Sequence, residues 1–210
     1  MKNTNLLLAL GALAAFGLVR PAAAQTNEIT FDLVPNPQFV HCLKDPFSFE
    51  TPHAKVTVIR GKLNDYLQVV AEGIKPGLQF DLFTVQNSPF QSNGNPSADF
   101  KNFGLAWYQS DLEANRRGRV EASIRTILLD QIFGFDPAVA LPPTNSFHVG
   151  FWFNNPQDAV ACGFDATKPT PFNGEHKAGP LAMISLPQHD GLGPLCTNPD
   201  DSKSPAVCNP

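Results

Sequence analysis

Several residue patterns that mark common active sites are missing from this chain. It contains no His-x-His pair, no His-Glu-x-x-His motif, no Gly-x-Ser-x-Gly motif and no Cys-x-x-Cys spacing. These absences remove the usual sequence signals of a metal centre built on one element and of a serine nucleophile. The sequence therefore favours a protein without catalytic activity, and an enzyme is the second interpretation.

Basic residues are too few to suggest a nucleic-acid partner. The chain has 15 Lys and Arg against 19 Asp and Glu, and removal of a leader containing Lys2 and Arg20 leaves a net charge of about −6. Nucleic-acid binding and polybasic attraction to a membrane surface both need an excess of positive charge. Four arginines lie between positions 116 and 125, but Glu113 and Glu121 are interspersed with them, which favours a solvated charged hairpin over an anion site.

The first 24 residues predict an export signal. Lys2 precedes an apolar stretch from Leu6 to Val19, and three alanines at positions 22 to 24 provide a cleavage site before Gln25. The stretch is too short and too rich in Ala and Gly for a comfortable membrane span, although an uncleaved anchor is the alternative. We expect a secreted or periplasmic protein that has no membrane span after cleavage, with one β-sandwich domain over 25–186 and a Pro/Gly-rich tail over 187–210.

The segment from Lys55 to Val85 predicts three successive β-strands. Its residues are mostly β-branched or alternate between apolar and polar, and Asn64-Asp65 and Lys75-Pro76-Gly77 supply turn chemistry between the strands. Connections this short predict an antiparallel meander, because parallel strands need longer crossovers. Twenty prolines, fifteen glycines and seventeen phenylalanines favour an all-β sandwich with a phenylalanine-packed interior and one or two short helices in its connections.

The order of these elements resembles a known family. Two strands, the turn Gly73-Ile74-Lys75-Pro76-Gly77, a third strand and a polar hairpin over 111–120 resemble the Greek-key sandwich of Cu,Zn superoxide dismutases and chordin-type domains, over about 54–186. The resemblance implies a Greek-key fold. It argues against dismutase activity, because the strand that carries a His-x-His copper pair in that enzyme reads Phe83-Thr84-Val85-Gln86 here.

Four cysteines in a chain with an export signal predict two disulfide bonds. Three pairings are possible. We favour Cys42 with Cys162, which would attach the N-terminal segment to the core, and Cys196 with Cys208, which would close a short proline-rich tail.

Other segments predict further elements. Residues 146–153 read as a central strand buried on both faces, residues 126–133 as a short helix, and residues 178–186 as a closing strand. Asn155 followed by Pro156 predicts a helix start, and Gly163 its end. The segment 28–34, rich in nearby prolines, suits an edge strand or a surface-running segment.

Two kinds of functional site follow from these elements. The Asn-, Ser- and Pro-rich segment 87–102 predicts an exposed loop and a candidate recognition site for an extracellular ligand, such as a glycan or a surface protein. The alternative is a metal-binding protein or metalloenzyme on a degenerate dismutase-like sandwich, holding zinc or copper through His148, Asp158, Glu175 and His176. The first interpretation is preferred, with no cofactor. Each of the four metal candidates also has a structural role available as a core histidine, a helix-capping acid or loop surface.

Overall fold

The computed structural model describes residues 28–125, 134–136, 141–170 and 177–209, and shows an all-β protein with two short helices. The predicted leader and the predicted helix over 126–133 lie outside the described residues. Among the described residues, no helix is long and apolar enough to cross a membrane. The elements in chain order are β1 Glu28–Pro35, α1 Val40–Leu43, β2 His53–Ile59, β3 Tyr66–Glu72, β4 Gln79–Val85, β5 Ala106–Glu113, β6 Val120–Ile124, β7 Gly134–Asp136, β8 Leu141–Thr144, β9 His148–Phe153, a 3-10 helix Pro156–Cys162, β10 Leu181–Ser185, β11 Pro199–Asp200 and β12 Val207–Cys208.

Eight strands form one antiparallel sheet in the order β5-β4-β9-β10-β1-β2-β3-β6. The two edge strands, β5 and β6, are joined by a short turn in which the Asn115 amide donates to the Arg119 carbonyl at 2.9 Å. The sheet is therefore rolled and nearly closed, and its two halves face each other. Val56 and Val69 from one half share a buried cluster with Phe80 and Phe151 from the other, which gives the sandwich-like core expected from the alternating pattern.

The predicted three-strand meander is wrong at its third strand. β2 and β3 pair as expected, but the other edge of β3 is occupied by β6, and β4 pairs with β5 and β9. The connection over 73–77 runs across the end of the sheet, because the Ile74 amide donates to Gly118 at 3.0 Å and the Lys75 amide donates to Leu43 at 2.8 Å. Alternation predicts which residues form a strand, but it does not specify the neighbour of that strand.

The remaining strand predictions hold with one further correction. β9 is buried along its whole length between β4 and β10, as the apolar sequence on both faces predicts. The prediction of an edge strand over 28–34 is wrong, since β1 pairs with β2 on one side and with β10 on the other. β1 tolerates Pro35 because that residue is its last. The Greek-key connection implied by the resemblance stays a prediction.

The short helix after β9 begins and ends where the sequence predicts. The Asn155 side chain accepts a hydrogen bond from the Gln157 amide at 3.0 Å, Pro156 occupies the first helical position, and Gly163 ends the helix at φ 88°. Cys162 in this helix is bonded to Cys42 in α1, and Cys196 is bonded to Cys208, which is the pairing that the sequence favours. Two disulfides indicate folding in an oxidising compartment.

Candidate functional site

The predicted metal ligands do not come together in the described part of the chain. His148 is the first residue of β9, whereas Asp158 lies in the 3-10 helix beyond its last residue. A six-residue strand is roughly 17 Å long, so one ion cannot contact both side chains. Glu175 and His176 lie outside the described residues, and among the described ones no three His, Cys, Asp or Glu side chains are grouped to hold a metal. This separation argues against a single site that uses both His148 and Asp158, and a zinc or copper site that also needs Glu175 and His176 stays a prediction.

His148 is buried and neutral. Its Nδ1 lies 3.1 Å from the Ser185 carbonyl oxygen and 3.1 Å from Ser185 Oγ, and that hydroxyl oxygen accepts the Val149 amide at 3.2 Å. Because a carbonyl only accepts, Nδ1 carries the proton and Nε2 is the acceptor nitrogen. Burial lowers the pKa of His148 to about 4, against the weaker opposing effect of the Ser185 hydrogen bond. The ring is uncharged at neutral pH.

His148 also lines a cleft of about 870 Å³ at one end of the sheet. The cleft is formed by the 86–102 segment after β4, by residues 144–146 before β9, by the 187–193 segment after β10, and by residues 205–208 of the tail. Its volume falls in the range of small-ligand sites, about 300–1,000 Å³. The loop over 87–102, expected from its composition to be an exposed recognition segment, therefore supplies one wall of the cleft.

Local hydrogen bonds fix the shape of this loop. Ser88 Oγ accepts the Phe90 amide at 3.3 Å, Asn93 Oδ1 accepts the Asn95 amide at 2.9 Å, and Asn102 Oδ1 accepts the Gly104 amide at 2.9 Å. Short polar side chains stabilise turns in this way. The backbone adds a bond from the Gln91 amide to the Asn95 carbonyl at 2.8 Å. The wall is thus shaped before a ligand arrives.

Apolar contacts attach the same loop to the outer face of the sheet. Phe90 is buried in a second apolar cluster with Phe83, Val85 and Trp152, separate from the main core. The ring of Phe103, at the end of the loop, meets that of Trp152 edge-on at a centroid distance of 5.0 Å. This loop covers the outward-facing side chains of Phe83, Val85 and Trp152, so these apolar groups are shielded from solvent.

The opposite wall is the C-terminal tail, held against the start of β9. Ser146 Oγ accepts the Gly193 amide at 2.6 Å, and Phe147 and Leu195 exchange two backbone hydrogen bonds of 3.2 and 3.1 Å. A Cβ atom at Gly193 would lie 2.3 Å from the Phe147 carbonyl oxygen, so only glycine permits this approach. Asn145 Nδ2 donates to the Cys208 carbonyl at 3.1 Å, next to the Cys196–Cys208 disulfide.

A second buried polar group lies outside the cleft. Asp81, in the middle of β4, is 2% exposed, accepts a hydrogen bond from Asn154 Nδ2 at 2.9 Å, and faces Asp111 across the β4–β5 pair. Among the described residues its Oδ2 atom has no hydrogen-bond partner, and burial raises the pKa of Asp81. Tyr108 nearby has its pKa raised to about 12 by burial and by Asp111.

The sequence gives one indication that Asp81 is buried, but the alternation of the strand hides it. A single acid within the apolar run Phe80 to Val85 falls on the face that would point outward. An outward-facing acid is ordinarily solvated, and nothing local indicates that this face is covered.

The sequence contained no signal for the tail wall, since its residues resemble any irregular tail. Comparisons of this chain with protein-family models, with curated proteins and with solved structures found no match.

Proposed function

We propose that this chain is an exported, non-catalytic binding module that holds its ligand in the cleft around His148. The observation that carries the proposal is the cleft itself, about 870 Å³ with walls fixed by hydrogen bonds and a disulfide. A site whose walls are shaped in advance loses little conformational entropy on binding, which favours affinity.

The chemistry of the lining supports binding more than catalysis. The Ser146 hydroxyl bonds the Gly193 amide and carbonyl at 2.6 and 3.4 Å, and so positions the tail. The proton on His148 Nδ1 faces a backbone carbonyl, whereas a catalytic histidine is commonly oriented by a carboxylate. These groups build the cleft and present acceptor atoms.

Export is part of the proposal. The leader over 1–24, with its basic start, apolar stretch and alanine cleavage site, agrees with the two disulfides, which need an oxidising compartment. The mature protein would then meet its ligand in the periplasm or outside the cell.

Blocking the cleft tests the proposal. Gln188 is exposed and lines the cleft, and Gln157 is exposed on the 3-10 helix at the opposite end of β9. A compound from a ligand screen, present at a hundredfold excess over its Kd, should stabilise the wild type by about 2.7 kcal/mol and so raise its Tm. We expect Gln188→Trp to abolish this rise in Tm. The matched Gln157→Trp should keep it. Equal binding by both variants would refute a ligand site in the cleft.

A metal-binding function is the second candidate, and one observation favours it. His148 Nε2 carries a lone pair and its ring is oriented by a hydrogen bond at the other nitrogen, which is the usual arrangement of a metal-binding histidine. Elemental analysis of protein exported from its own host and purified without chelator tests this candidate. One zinc or copper per chain in the wild type, lost in His148→Gln, would support a metal-binding function. Metal at background level in the wild type would refute it.

A further inference from the structure

Hydrogen-bonding groups in the cleft are only partly used by the protein. Asn87 Nδ2 donates to the Asn102 carbonyl at 3.1 Å and Asn145 Nδ2 donates to Cys208, while Asn102 Oδ1 accepts the Gly104 amide. Within the described residues, these bonds leave two Oδ1 acceptors and one Nδ2 donor without a protein partner. The side chains of Gln91 and Gln188 add two complete amides. The cleft therefore offers acceptors and donors side by side.

Such a mixed set matches one class of ligand best. A sugar hydroxyl is both a donor and an acceptor, so it satisfies neighbouring amide oxygens and nitrogens in turn. A ligand with acceptors alone, such as a phosphate, would leave the free amide oxygens and His148 Nε2 without partners, and unsatisfied polar groups cost free energy. The lining thus favours a polyhydroxylated ligand.

Charge in the cleft points the same way. Besides His148, the lining carries three ionisable side chains, Asp99, Lys101 and His189, and all three are exposed. His148 is neutral, and the arginines of the charged hairpin are not among the residues that line the cleft. Within the part of the chain that the structure describes, the cleft lining holds no buried charged side chain to balance an ionised ligand, and a buried unpaired charge is costly. A neutral ligand fits this balance.

One aromatic side chain completes the site. Phe100 is half-buried in the cleft wall, and its ring is held edge-on against Phe103 at a centroid distance of 4.9 Å. An oriented ring offers an apolar surface to the C–H face of a sugar. Phe90, the other phenylalanine of the lining, is buried.

We infer that the cleft ligand is a neutral oligosaccharide, bound through the side-chain amides of Gln91 and Gln188 and through Nδ2 of Asn102, and packed on Phe100. This inference rests on the proposed function and names its ligand class. A peptide is the less favoured partner because the lining offers side-chain amides from loops, whereas extended peptides commonly pair with a free strand edge.

The test is binding of mature protein to immobilised probes. The probes are neutral hexasaccharides of glucose, mannose, galactose or N-acetylglucosamine, hexagalacturonate as the charged counterpart, and a library of hexapeptides. We expect at least one neutral hexasaccharide to bind and to lose about tenfold in affinity in the double variant Gln91→Ala/Gln188→Ala, which removes two hydrogen bonds of about 0.5–1.5 kcal/mol each. Neither side chain makes an intramolecular hydrogen bond among the described residues, so the fold should be unchanged.

Controls separate this inference from the proposed function. Gln38→Ala/Gln157→Ala removes two exposed amides elsewhere and should bind like the wild type, and Phe100→Ala should weaken sugar binding where the exposed Phe49→Ala does not. Failure of every neutral hexasaccharide to bind overturns the inference. Binding of hexagalacturonate or peptides alone, abolished by Gln188→Trp, also overturns the inference and leaves the proposed function standing. Neutral-sugar binding that survives Gln188→Trp overturns both.

Discussion

The two disulfides should contribute unequally to the stability of the folded protein. Cys42 and Cys162 are 120 residues apart, and their bond joins α1 to the 3-10 helix, where Phe39 and Phe164 also meet edge-on at 6.1 Å. The chain-entropy relation gives a stabilisation of about 5 kcal/mol for a closed loop of this length. For a domain of this size, each kcal/mol shifts Tm by about 2–4 °C. Replacing both cysteines by serine should therefore lower Tm by about 10–20 °C.

The second disulfide provides an internal comparison. Cys196 and Cys208 are only 12 residues apart, and they close a two-stranded ladder, β11–β12, that is not part of the main sheet. The same relation gives about 3 kcal/mol. Because the ladder is separate from the main sheet, we expect the tail to open before the sheet melts, so that most of this loss does not appear in the melting of the sheet. We expect Cys196→Ser/Cys208→Ser to lower Tm by less than about 5 °C.

Two measurements check this reasoning. Differential scanning calorimetry of the two double variants and the wild type gives the Tm values, and hydrogen exchange of residues 196–209 reports opening of the tail. An equal fall in Tm for both variants, or a larger one for the tail variant, would refute it. The tail variant should also bind the cleft ligand more weakly, because residues 205–208 form part of the wall.

Three further predictions concern buried groups. Since the pKa of His148 is lowered to about 4 in the folded state, the unfolded chain takes up this proton first as pH falls below about 6.5, and about 3 kcal/mol of stability should be lost by pH 4. Urea unfolding of His148→Gln should lack this loss. The same pH profile in the variant and the wild type would contradict a buried, neutral His148. Because burial raises the pKa of Asp81, the carboxyl group of Asp81 stabilises the folded state most at a pH below its unfolded pKa near 3.8. This stabilisation is lost as pH rises through the folded pKa. Asp81→Asn should thus raise the free energy of unfolding at pH 7 by about 1 kcal/mol and leave it unchanged near pH 3. Chemical unfolding at both pH values checks this. Destabilisation of the variant at pH 7 would show that the folded state needs the carboxylate. Gly193→Ala places a methyl group against the Phe147 carbonyl and should cost about 1–3 kcal/mol in thermal unfolding; a wild-type Tm would mean that the tail is not held against β9 as described.

Strand identity could be predicted from the sequence because it depends on local alternation. β2, β3 and β9 occur where apolar periodicity indicates them, and the helix after β9 begins at Asn155 because capping is decided within three residues. The disulfide pairing favoured from the sequence is also the one observed, although the tail is held against β9 by hydrogen bonds that the sequence did not indicate.

Strand neighbours depend on how the sheet closes, and alternation carries no information about that. β4 has the pattern expected of the third strand of a meander, yet it crosses the end of the sheet and pairs with β9. Both of its faces are buried, because the main core lies on one side and the loop over 87–102 covers the other.

The positions of β2, β3 and β9, the capped helix and the polar loop could be predicted from the sequence, since each depends on residues close together in the chain. The site depends on tertiary contacts. The tertiary structure separated His148 from Asp158 by the length of one strand, bonded His148 to Ser185 37 residues away, and placed the tail opposite the 87–102 loop. Walls contributed by segments about 100 residues apart come together only when the sheet closes, because the contacts that position them, Phe103 with Trp152 for the loop and Gly193 with Ser146 for the tail, join residues that are not neighbours in the chain.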